Sequence, residues 1–109
     1  VQTCALPISW YVKHFGAKPG MSGDVAVAEL PGATLAFIKS DKPTIPTAGR
    51  ILDHIGFDVK DLVGFAKKLE DGGAKLSQPI NARPDGNKLT FLHDPWGTAI
   101  ELNERPGGL

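Results

Sequence analysis

Two short stretches carry side chains that could do metal chemistry, LDHIGFDV at 52–59 and TAIELN at 98–103. On an extended strand, alternate residues face opposite sides of the sheet. In the first stretch Ile55, Phe57 and Val59 share one face with Asp53, while Leu52, His54, Gly56 and Asp58 share the other. In the second, Ile100 and Leu102 form the apolar face, and Ala99, Glu101 and Asn103 point away from it. His54 and Glu101 therefore both leave the apolar side of their strands, and they converge if those strands lie in one curved sheet. An imidazole and a carboxylate on rigid neighbouring strands make two corners of a facial metal site, with positions open to water or substrate. Two protein donors are few for tight divalent binding, so a third is expected from an equivalent strand. The plainer reading is a histidine that only hydrogen-bonds and a glutamate that faces solvent.

The other candidates are less specific. His93 directly precedes the turn Asp94-Pro95-Trp96-Gly97 and reads as a turn or rim residue. Asp94 can cap its own backbone there. His14 sits beside Lys13 at a helix end and reads as a surface residue. Trp10, Tyr11 and Trp96 read as core or cavity-edge packing.

The elements that must position these groups follow from patterning. WYVKHF at 10–15, closed by Gly16, reads as the last turns of a helix. Asp24–Leu30 alternates, Pro31-Gly32 turns, and Ala33–Lys39 reads as a second strand. The proline-containing segment 41–49 is a connector. A strand at 52–59 follows, then a helix capped by Asp61, with a stripe of Leu62, Phe65, Ala66 and Leu69, closed by Gly72-Gly73. Gly64 inside it costs about 1 kcal/mol relative to Ala, so packing must carry that helix. Strands are expected at Lys75–Gln78, Lys88–Leu92 and Thr98–Asn103. FGAK at 15–18 matches GGAK at 72–75, and TLAFIK matches TAIELN. The first half looks like the second without its opening strand and most of its helix, and the alignment sets Phe37 at the position of Glu101.

At 109 residues the chain is one domain. Twelve basic residues cancel twelve acidic ones without blocks of either sign, so no footprint for nucleic acid or anionic lipid is present. The apolar runs fall short of membrane-spanning length. A single cysteine, Cys4, excludes a disulfide framework. The opening VQTCALPI is what a common sequencing-library adapter encodes, so residues 1–9 are expected to be a processing artefact that displaced the natural start, with any signal peptide. Without an opening strand, the first half would present an unpaired sheet edge and invite dimerisation.

HIGFDVKDL, FAKKLEDGGAKL and FLHDPWGTAIELNE together resemble the vicinal oxygen chelate superfamily, which includes glyoxalase I, bleomycin-resistance proteins, fosfomycin-resistance enzymes and extradiol dioxygenases. The resemblance covers residues 10–105 and is strongest over 50–104. It implies an α+β fold of paired βαβββ modules forming a curved mixed sheet around a pocket: a partial first module at 10–40, truncated at its N-terminus, a linker at 41–50 and a second module at 51–105. It implies His54 and Glu101 as ligands of a divalent metal (Zn, Ni, Mn or Fe), with a further His on the absent first strand. The activity implied is that of a glyoxalase-like, lactoylglutathione lyase-type metalloenzyme polarising a small substrate with adjacent oxygens. The alternatives are a metal-free sequestration protein of the bleomycin-resistance type, with Phe37, Phe91, His93 and Trp96 lining its pocket, and a ring-cleaving dioxygenase. Phe37 stands where glyoxalase I carries a polar group, and Phe91 where the dioxygenases and fosfomycin enzymes carry a Tyr hydroxyl, so no general base is evident. A small-molecule substrate, a homodimer and, by default, a cytoplasmic location complete the expectations.

Overall fold

Glycine-closed turns set the layout of the computed structural model, which describes residues 5–107. The chain divides into two units, one running to Thr44 and the other starting at Ile45. In the first, helix α1 (Ala5–Phe15) ends at Gly16, whose φ of 66° lies in the left-handed region. The Gly16 N–H donates to Val12 O and the Ala17 N–H to Tyr11 O, closing the last carbonyls of the helix. Strands β1 (Lys18–Ser22), β2 (Val25–Leu30) and β3 (Ala33–Phe37) then form an antiparallel sheet in that order. α1 packs against β2, with Tyr11 and Ala28 fully enclosed.

The second unit is a complete βαβββ module. Strand β4 (His54–Asp58) is followed by helix α2 (Leu62–Asp71), then β5 (Asn81–Ala82), β6 (Lys88–His93) and β7 (Ala99–Glu104), with sheet order β4-β7-β6-β5. β4 pairs with β7 in parallel, and β6 pairs antiparallel with β7 and β5. Leu62, Ala66 and Leu69 of α2 are buried, as are Ile100 and Leu102 of β7 and Leu92 of β6. Each fully buried leucine or isoleucine contributes about 1.5–3 kcal/mol of hydrophobic stabilisation, which fixes the helix on one face of the sheet. Glu104 ties that helix to the same strand: its Oε1 accepts the Leu62 N–H at 2.8 Å and its Oε2 pairs with Lys88 Nζ at 3.0 Å.

The structure overturns two expectations and adds two elements to the layout. Lys75–Gln78 is no strand but a single bridge between Leu76 and Leu92, because Pro79 follows and cannot donate to a ladder. β1, with Pro19 and Gly20 at its centre, carries no alternation that would have announced it. α1 starts at Ala5, so Ala5–Ser9 of the segment expected to be an artefact are helical, which leaves their origin untouched; the rest of that segment, Val1–Cys4, lies outside the described residues. His14 is 7% exposed rather than a surface residue, its ring 5.0 Å from that of Trp10. Burial, and then the charge of Lys13, push its pKa below the ordinary value.

Gly64 has a local reason. Asp61 caps α2, its Oδ1 accepting the Gly64 N–H at 3.0 Å. A Cβ on residue 64 would sit 3.0 Å from Asp61 Cγ and closer still to Oδ2. Gly64→Ala should therefore be close to neutral in chemical denaturation, its propensity gain of about 1 kcal/mol offset by loss of a cap of similar size. With the cap already removed by Asp61→Ala, the same substitution should stabilise by about 1 kcal/mol. Equal effects of Gly64→Ala in both backgrounds would show that the cap and the glycine are independent.

Candidate metal and ligand site on the open face of the second sheet

With α2 on one side of the β4-β7-β6 sheet, strand register decides what the other side offers. His54 lies opposite Ala99, and Ala99 lies opposite His93 on its other flank. One step further along, Gly56 lies opposite Glu101, and Glu101 opposite Phe91. The open face thus carries two cross-strand rows, His54–Ala99–His93 and Gly56–Glu101–Phe91. Gly56 has no side chain and is exposed, whereas Ala99 between the two histidines is enclosed, 3% exposed.

His54 and Glu101 converge on this face. His54 Nε2 is 3.5 Å from Glu101 Oε2, with the two side chains 39% and 24% exposed. The atoms turned away from this contact are held. His54 Nδ1 bonds Asp53 Oδ1 at 2.9 Å, and Glu101 Oε1 accepts the Asn103 amide at 2.7 Å. The Asp53 carboxylate also accepts the Gly49 N–H through Oδ2. Its pKa lies below the ordinary 3.8, first because of the His54 hydrogen bond and then because of the Gly49 amide. An ionised carboxylate can only accept, so it favours the Nδ1–H form of His54 and leaves the Nε2 lone pair facing Glu101. Phe91 stands edge-on to the imidazole, ring centroids 5.5 Å apart.

Of the other residues singled out in the sequence, His93 is on the same face and its Nδ1 is 2.9 Å from Ser77 Oγ. Trp96 sits in the turn after β6, where Asp94 Oδ1 accepts the N–H groups of Trp96 and Thr98 at 2.9 and 2.8 Å. Phe37 belongs to the first unit, with its ring 5.8 Å from that of Tyr11. It therefore shares the α1 side of β3, whereas Glu101 leaves the α2 side of β7. The repeat alignment of Phe37 with Glu101 does not preserve parity. Among the described residues no group of three or more His, Cys, Asp or Glu could hold a metal ion, and the further His expected has no counterpart among them. Sequence reasoning missed Asp53, Asn103 and Ser77. Alternation put Asp53 on the face of Ile55, opposite His54, but Asp53 precedes β4 and its side chain bonds His54 instead; Asn103, two residues beyond Glu101 on the same face, was legible as a partner.

A family model described as the Glyoxalase/Bleomycin resistance protein/Dioxygenase superfamily matches residues 1–102. The chain belongs to that superfamily. Superfamily folds among solved structures agree. The fosfomycin resistance protein FosX from Listeria monocytogenes aligns with a TM-score of 0.75 at 16% identity, covering 95% of this chain and 85% of its own. The glyoxalase family protein from Enterococcus faecalis gives 0.70 at 24% identity, covering 94% and 89%. A lactoylglutathione lyase from Agrobacterium tumefaciens gives 0.62 at 17% identity, covering 88% and 81%. Comparison with curated proteins finds no match. No helix among the described residues is long and apolar enough to cross a membrane.

The Asp53 contacts make a pH prediction. A carboxyl whose folded pKa is depressed contributes stability that is fully present above its unfolded value of 3.8 and is lost as pH falls through the lowered folded value. Asp53→Asn should lower Tm at neutral pH, and the gap to the parent should close in strong acid. A gap that stays constant from neutral to acid pH would contradict the assignment.

Proposed function

We propose that the chain is a glyoxalase-like, metal-dependent enzyme that uses His54 and Glu101 to hold a divalent ion and acts on a small substrate with adjacent oxygens. The observation that carries this reading is the pair of inward-facing donor atoms, Nε2 and Oε2, 3.5 Å apart with their outer atoms tied down by Asp53 and Asn103. That separation suits two donors sharing one ion at about 2.1 Å and a near-tetrahedral angle. The donor set, one imidazole and one carboxylate, suits Zn(II), Ni(II), Mn(II) or Fe(II). When bound, the ion would supply Lewis acidity toward the substrate's oxygens. His54 and Glu101 would hold it, Asp53 and Asn103 would orient them, and Phe91 would shield the imidazole from water on one side. The substrate would lie over Gly56, which is exposed beside Glu101 and has no side chain.

The edge-on contact of Phe91 with His54 favours a second reading, a sequestration protein whose ligand stacks on that ring without a metal. Chelation separates the two, since ligand binding would survive it only under the second.

Metal uptake measured by isothermal titration with Zn(II) tests the leading reading. Asp53→Ala and Asn103→Ala should weaken uptake about 10–100-fold, the usual effect of removing a group that orients a ligand. His54→Ala and Glu101→Ala should cost more than either and abolish the Tm increase that Zn(II) gives the parent protein. Unchanged uptake in His54→Ala would refute the site.

A further inference from the structure

The two histidines flanking Ala99 have different partners, and the difference is chemical. His54 is backed by a carboxylate, which accepts hydrogen bonds only and favours one tautomer. His93 is backed by the Ser77 hydroxyl, 2.9 Å from its Nδ1. A hydroxyl can donate or accept by rotating, so it stabilises His93 with Nδ1 bare and equally with Nδ1 protonated. With Nδ1–H held by Oγ, the ring can gain and lose a proton at Nε2 without losing its anchor, as it could beside a carboxylate; what sets His93 apart is that its Nε2 is uncommitted. Its Nε2 has no hydrogen-bond partner among the described residues, and the side chain is open to water.

Placement agrees. His93 pairs across the strands with Ala99, and Glu101 is two residues further along β7 on the same face. Diagonal neighbours of this kind lie about 7–8 Å apart, within reach of a small molecule touching both. Ser77 is fixed by its backbone, whose N–H donates to Phe91 O at 2.7 Å, and so flanks β6 on the side opposite β7. The turn that follows His93 is pinned by Asp94. Nearer to Glu101 on this face, Phe91 and Ala99 have no proton acceptor, the Asn103 amide nitrogen is bonded to Glu101, and His54 Nε2 is committed to the proposed ion.

We propose that His93, backed by Ser77, carries a proton to and from a carbonyl substrate seated at His54 and Glu101. The inference rests on the proposed function above and gives that site the acid–base group its sequence did not reveal. The bond that breaks is a C–H bond next to the substrate carbonyl. Its proton goes to His93 Nε2, its electron pair forms a carbon–carbon double bond, and the carbonyl π pair moves to oxygen. The imidazolium then returns a proton to carbon as the oxygen pair reforms the carbonyl. Ser77 is a positioning residue, since it acts only through His93.

The test uses the full chain loaded with Zn(II) and hydroxyacetone as probe in deuterated water, following exchange of the carbon-bound protons by NMR. The parent protein should exchange them faster than a Zn(II) buffer blank. His93→Gln should slow exchange by about 100-fold or more, the usual contribution of a positioned acid–base group, with Zn(II) uptake unchanged. Ser77→Ala should slow it several-fold and Ser77→Thr should restore it. In a separate readout, oxalate added to the Zn(II)-loaded chain should shift the His93 ring signals. Parental exchange rates in His93→Gln, no exchange by the parent above the blank, or no oxalate-induced shift would each overturn the proposal. Failure of the underlying site would show differently, as unimpaired Zn(II) uptake by His54→Ala.

Discussion

Everything at the candidate site depends on the burial of one face of one sheet. Leu62, Ala66 and Leu69 of α2 and Ile100, Leu102 and Leu92 of the strands exclude water between them. Because side chains on a strand alternate with a period of two, covering that face determines which residues must stand on the other. A slip of one residue between β7 and β4 would bury Glu101 and expose Leu102. The hydrophobic layer therefore holds the polar site in register without touching it, and Glu104 reinforces it by bonding the first turn of α2 to the last strand.

Against this frame, side-chain partners give otherwise similar residues different chemistry. Glu101 and Glu104 lie on the same strand with opposite parity: one faces His54, while the other receives a helix amide and the Lys88 ammonium, which hold its pKa below the ordinary carboxylate value. His14 and His54 differ in the same way. The first is buried against the Trp10 ring and held toward its neutral form; the second is half-exposed between two carboxylates.

Much of the second unit was legible in the sequence, since strong alternation in 52–59 and 98–103 and a clean stripe in 62–69 leave one solution that buries the apolar set. The parity argument placed His54 and Glu101 on one face, and the register brings them together. What was not legible had specific physical causes. β1 hides behind proline and glycine, and Lys75–Gln78 has the composition of a strand but runs into Pro79, which cannot extend a ladder. Phe37 was aligned by sequence similarity, which carries no information about parity when strand lengths differ. Asp53 and Ser77 lie outside regular strands, so no periodicity could direct their side chains toward the two histidines.

The most direct measurement is X-ray absorption at the zinc edge of the Zn(II)-loaded chain, which counts imidazole ligands through their outer-ring scattering. The expected result is one imidazole with the remaining near neighbours oxygen, and loss of the imidazole signal in His54→Ala. A zinc shell of oxygen atoms alone, or an imidazole signal that persists in that variant, would contradict it.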